Sequence, residues 1–137
     1  MDDTENDYHP SNDLERAMVE ARAGRLSTQD FVRVMLSSEV HVLSGSDPGE
    51  DGREFAPLFY PHPTTGDRML AMYSSPARIG EDAKRAPFML TVECGDFLRR
   101  LPDGIGMVLN PGDTVGFELM PNVVASIASQ IKQRKQN

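Results

Sequence analysis

The spacing of hydrophobic positions changes several times along the chain, and each change marks a predicted element. Leu14, Met18 and Ala21 recur at i, i+4 and i+7, the spacing of one helix face, in a segment running from about Asn12 to Gly24. Ser11 or Asn12 offers a capping oxygen, Glu15 follows Asn12 by three residues as in a capping box, and Gly24 suits the stop. Ser27 caps a second predicted helix, with Asp30 at its third position and Phe31, Val34 and Met35 as its apolar stripe. From Glu39 the period becomes two: Val40 and Val42 alternate with Glu39 and His41, which predicts a strand. A long polar loop from Ser44 to Ala56 follows, and it is expected, like the first dozen residues, to be too polar to pack.

Further on, Leu58 to Tyr60 and Met69 to Tyr73 read as strands joined by the turn-forming run Pro61 to Asp67, a hairpin. Pro76 to Lys84 suggests a short helix, Phe88 to Val92 a strand, and Asp96 to Leu101 a helical turn or two. Met107, Val108 and Leu109 form a short apolar run before Asn110-Pro111-Gly112-Asp113, where proline presets one turn position and glycine supplies a positive φ. Phe117 and Leu119 alternate with Glu118 as in a half-buried strand, and Pro121 suits the first position of a helix because its missing N–H costs nothing there. Val123, Val124, Ile127, Ala128 and Ile131 give that helix its stripe, and Lys132, Arg134 and Lys135 complement the negative end of its dipole. The order predicts an α/β or α+β fold: a mixed β-sheet of about five strands packed with helices, a helix pair at the N-terminus and a helix at the C-terminus. Residues 12–131 are expected to form one domain between an acidic start (1–11) and a basic tail (132–137).

Composition narrows the function. The 137 residues carry 14 basic and 21 acidic side chains, a net charge of −7, so a nucleic-acid partner is not expected, because phosphate neutralisation needs a basic face. The single cysteine, Cys94, excludes an internal disulfide, and neither an apolar run of about 18 residues nor a charged-then-apolar leader is found. A cytoplasmic protein with no membrane partner is the expectation. Acid is concentrated at Asp2, Asp3, Glu5 and Asp7 and in the long loop at Asp47, Glu50, Asp51 and Glu54. These groups either solvate the surface or steer a basic partner, whose binding would then weaken with salt. In the second case the Ser44–Ala56 loop is the expected contact, with Asp47, Glu50, Asp51 and Glu54 as its partner-binding residues and Phe59 or Tyr60 beside it as the candidate anchors. Pairing with a second copy is left open by the apolar edge Phe88 to Val92.

Catalytic patterns are missing. No phosphate loop, dinucleotide fingerprint, His-Glu-x-x-His or nucleophile elbow occurs, and Gly104-x-Gly106 precedes a strand, so it reads as a turn. His9, His41 and His62 stand apart, without the close pair of a zinc clamp, and no cofactor is expected. Cys94 opens a short helix whose dipole could lower a thiol pKa, yet no partner base accompanies it, so a small half-buried residue is the expectation. Asp113 and Glu118 are predicted to face opposite ways, and Glu118 is expected to pair with Arg99 or Arg100. Met69, Met72, Met89, Met107 and Met120 read as core filling.

The run Gly104-Ile-Gly-Met-Val-Leu-Asn-Pro-Gly-Asp113, followed by Val115-Gly-Phe-Glu-Leu-Met120 and Pro121, resembles the signature of the SseB N-terminal domain family, with Asn110, Pro111, Gly112 and Glu118 as its structural motif. The resemblance extends over roughly residues 12–131. It implies a small bacterial α/β domain with no established catalytic activity, hence a non-enzymatic protein-binding domain. The concrete forms are an immunity or adaptor protein that binds a basic partner. The family name, which refers to serine sensitivity, also implies an alternative: a regulatory domain that binds a small metabolite of amino-acid metabolism.

Overall fold

A computed structural model describes residues 9–50, 54–113 and 115–136, with side chains in the last helix described as far as Ile131. The first helix, α1 (Asp13–Arg22), is capped by Asn12, whose side chain accepts from the Glu15 N–H, and the chain leaves it through Gly24 at φ +79°. Helix α2 (Thr28–Leu36) is capped by Ser27, which accepts from the Asp30 N–H. These two helices pack together. Strand β1 (Glu39–Ser44) pairs antiparallel with β4 (Phe88–Glu93). The other sheet runs in the order β2 (Phe59–Pro61), β3 (Arg68–Met72), β5 (Ile105–Leu109) and β6 (Phe117–Leu119). Its middle pair, β3 and β5, is parallel, and the outer pairings are antiparallel hairpins. The two sheets meet where His41 and Tyr73 exchange backbone hydrogen bonds of 2.8 Å, so β1 takes over the edge of β3 that β2 leaves. A short helix α3 (Cys94–Leu98) and the long α4 (Pro121–Gln136) complete the helical layer, and the Pro76–Lys84 segment forms two short 3₁₀ turns rather than one helix.

Strand alternation divides the interior in two. Val40, Val42, Leu70, Met72, Met107, Leu109 and Leu119 point toward the helices and meet Leu14, Met18, Phe31, Met35, Leu98 and Val124. Phe31 and Phe117 meet edge to face, 4.6 Å between ring centroids. The opposite sheet face carries a smaller cluster of Leu43, Leu58, Ala71 and Tyr73, covered by Ile79 of the 3₁₀ segment and by Ala86, which follows it. Gly106 sits between the faces' tightest contacts: a Cβ there would lie 2.6 Å from the Leu119 carbonyl oxygen and 2.7 Å from the Met69 sulfur. It is therefore a strand glycine required by close approach, and only Gly104, at φ +87°, serves the turn.

Several expectations need correction. Met89 is exposed rather than core, because β4 has β1 as its only pairing strand among the described residues. Val123 is also exposed, since the buried stripe of α4 passes through Val124. Cys94 is fully buried, not half-buried. The Ser44–Ala56 segment does pack at its ends: Ser44 is buried, Gly45 N–H donates to the Ala56 carbonyl at 2.9 Å, and Phe55 stacks edge to face on Phe97.

Candidate functional site: a groove on the open sheet face

The helices cover one side of the sheet and the 3₁₀ segment covers only the part of the other side over β1 and the adjoining ends of β2 and β3. Over the rest of β2, β3, β5 and β6 the face is open and holds a cavity of about 440 Å³. Alternation decides what lines it. Met69, Val108 and Glu118 are the residues of β3, β5 and β6 that point away from the helices, and Tyr60 does the same from β2. Pro61 and Pro63 from the β2–β3 turn and Pro111 and Gly112 from the β5–β6 turn close its sides. Gly112 stands at φ +81°, which supplies the reversal that brings Glu118 back beside Val108.

Polar groups on the rim are held by specific partners. His62 Nδ1 accepts from the backbone N–H groups of Thr64 and Thr65 at 3.1 and 3.2 Å, so the ring proton resides on Nε2 and is donated to Glu118 Oε1 at 3.3 Å. On the other wall the Tyr60 and Tyr73 hydroxyls each donate to one oxygen of Asp82. Burial first, and then the neighbouring Asp82 carboxylate, pushes the Tyr60 phenol up to about 12 and raises Tyr73 as well. Arg85 lies over the Tyr60 ring, 5.2 Å from its centroid. Asp82 is thus fully engaged, whereas the Glu118 side chain remains about half exposed, at 53%.

The sequence-predicted contact residues do not gather in one place. Asp47, Glu50 and Glu54 are exposed on the long loop, and none of them lines the groove; Asp51 lies outside the described residues. Phe59 and Tyr60 point to opposite sheet faces, as neighbours on a strand must. Phe59 packs on the helix-side core beneath Arg68, whose guanidinium lies 4.9 Å from the ring centroid, and Tyr60 enters the groove. The expected Glu118 pairing with Arg99 or Arg100 is overturned. Both arginines close on Asp96, at 2.6 and 3.4 Å, because they follow α3 on the helical side while Glu118 faces the open side. Cys94 shows no activation: desolvation pushes its thiol up to about 12, outweighing any helix-dipole effect. Among the described residues no three His, Cys, Asp or Glu side chains converge as a metal site would need.

A second polar cluster was not legible in the sequence. Ligands in open α/β sheets commonly sit beyond the carboxyl ends of parallel strands. Here the space beyond β3 and β5 is filled by the chain itself. Asn110 Oδ1 accepts from the Ser74 N–H at 2.9 Å, and Asn110 Nδ2 donates to Ser74 Oγ at 2.8 Å. Ser74 Oγ donates to Glu15 Oε2 at 2.6 Å, and Asn12 Nδ2 donates to the Ser74 carbonyl at 2.9 Å. Arg78 then donates to both Glu15 oxygens, at 3.2 and 3.1 Å, and to the His9 carbonyl at 2.9 Å. Glu15 is completely buried; desolvation would raise its pKa, but Arg78, Ser74 and the Ser11 N–H outweigh that and hold it down at about 2. The capping box is displaced accordingly, since Glu15 accepts from Ser11 rather than from the Asn12 N–H. The available signal was a carboxylate on the same helix face as Leu14 and Met18.

A mixed α/β domain with helices on one sheet face, an open groove on the other and a side-chain clamp at its parallel strand ends is the class that fold and site define. The family model for the SseB protein N-terminal domain matches residues 14–126, and the chain belongs to that family. No curated protein and no solved structure gives a significant match. Among the described residues no helix is long and apolar enough to cross a membrane.

Proposed function

We propose that this domain is a non-enzymatic protein-binding module of the bacterial cytoplasm that receives a cationic segment of a partner protein in the open-face groove. The carrying observation is the pairing of an apolar floor, Met69 and Val108 between prolines, with a half-exposed Glu118 carboxylate at the rim. A lysine or arginine on an extended segment would lay its stem on that floor and its charge on Glu118. The net charge of −7, with Asp47, Glu50, Asp51 and Glu54 on the long loop, supports a steering role for the acid rather than a contact role. An immunity or adaptor function, in which the partner is a basic protein, is the biological form of this reading. The engagement of Asp82 by two phenols and the raised pKa of the buried Cys94 supply no ready nucleophile or base.

The test is co-purification of the tagged protein from its bacterium at low and high salt, with wild type, Glu118→Lys and the fourfold loop reversal Asp47→Lys, Glu50→Lys, Asp51→Lys, Glu54→Lys. Capture of one basic protein, abolished by Glu118→Lys and merely weakened or slowed by the loop reversal, is expected. Capture indifferent to Glu118→Lys would overturn the groove assignment. The cavity volume also fits a small ligand, which keeps the metabolite-binding alternative in view. Thermal stabilisation by free amino acids, lost in Val108→Trp, together with no captured protein, would decide for it.

A further inference from the structure

We infer that the outer edge of β4 is a self-association surface on which a second copy of this chain adds an antiparallel strand with Thr91 on the twofold axis. Among the described residues β4 pairs with β1 alone, and two of the three large hydrophobics left exposed, Phe88 and Met89, lie on it. The ladder with β1 fixes which backbone groups are free. The Cys94 N–H donates to the Ser38 carbonyl, and both His41 backbone groups are spent on Tyr73, on the side of β1 away from β4. In the observed register His41 opposes Thr91, so Phe88, Leu90 and Val92 turn their N–H and C=O groups toward β1, while Met89, Thr91 and Glu93 turn theirs outward.

An antiparallel partner must pair through those outward residues. A twofold axis at Thr91 uses all of them: Met89 opposes Glu93 of the second copy, Thr91 opposes Thr91, and Leu90 meets Val92 at the closely spaced positions between. The chain is complementary to itself in this register, since the apolar pairs coincide and the two Glu93 carboxylates are kept apart. Leu90 and Val92 already pack on the helix-side core, and the added strand would continue that layer. Devices that guard an edge are absent from the strand interior: no lysine, proline or bulge occurs between Phe88 and Val92, and Pro87 and Glu93 stand only at its ends. This edge lies beyond β1, at the far side of the sheet from the groove over β5 and β6, so dimerisation leaves the groove free.

The experiment is sedimentation equilibrium of the full chain over a range of concentrations, at low and high salt, for wild type, Thr91→Glu and Met89→Lys. Wild type is expected to show a monomer–dimer equilibrium that tightens as salt rises, because each copy carries a charge of −7. Thr91→Glu sets two carboxylates opposite each other and should raise the dimer dissociation constant by about tenfold or more. Met89→Lys places a cation opposite Glu93 and should leave the dimer as tight or tighter. Both sites are exposed, so unchanged circular dichroism is expected, and Thr91→Val, which removes the 2.9 Å contact of the Thr91 hydroxyl with His41 Nδ1 without adding charge, should keep the dimer and so separates loss of that contact from repulsion across the axis. A monomer at every concentration and salt, or a dimer indifferent to Thr91→Glu, would overturn the inference, and equal weakening by Thr91→Glu and Met89→Lys would overturn the register.

Discussion

Asn110 shows how one residue can carry two requirements. Its backbone is left-handed, at φ 55°, and its amide simultaneously satisfies the Ser74 N–H and hydroxyl in a buried position. Asparagine is among the few side chains that tolerate that backbone, and glycine, which tolerates it better, brings no amide. Asn110→Gly should therefore cost about 1–3 kcal/mol through the unsatisfied Ser74 groups, and Asn110→Ala about 1 kcal/mol more through backbone strain. Urea unfolding of both variants checks this, and an alanine variant as stable as the glycine one would show that the backbone conformation is not the constraint. The turn around Asn110 was legible from Pro111 and Gly112, but the hydrogen bonds were not, because Ser74 lies far away in sequence.

At the scale of elements, the Glu15–Arg78 clamp joins the start of α1 to the segment after β3. Its pH dependence has a definite sign. Glu15 is held at about 2, below its ordinary 4.5, so its contribution is fully present above pH 4.5 and is lost as pH falls through that interval toward 2. Glu15→Gln removes the fully buried carboxylate of the two that face Arg78, leaving Asp113 at 3.9 Å, and should lower stability at pH 7 by about 3 kcal/mol. Between pH 4.5 and 2 the difference from wild type should shrink, which melting temperatures measured across that range will show. A constant difference would mean that charge is not what the clamp supplies. Elements themselves were readable to within a few residues: α1, α2, β1, the β2–β3 and β5–β6 hairpins and the start of α4 at Pro121 follow from period, caps and turn residues. The Pro76–Lys84 segment departed from expectation because Ile79 and Ala86 are tied down over Tyr73 and Ala71, which leaves two short 3₁₀ turns instead of a helix.

For the whole molecule, charge and topology act together. The net charge of −7 opposes association between copies and favours association with a basic partner, so salt should shift the two in opposite directions. Raising salt should weaken partner binding through the groove and strengthen self-association through β4, and titration calorimetry beside sedimentation under matched buffers measures both. The same direction for both would mean that at least one contact is not governed by the overall charge. By itself the sequence determined the helix and strand segments, the turn at Asn110–Gly112 and the acidic balance, because these depend on residues near one another in the chain. Tertiary structure alone decided the parallel pairing of β3 with β5, the pairing of β4 with β1, the separation of Phe59 from Tyr60 and the partners of Glu15 and Glu118. Those outcomes depend on which distant segments meet and on which sheet face the helices cover, and no local period encodes either.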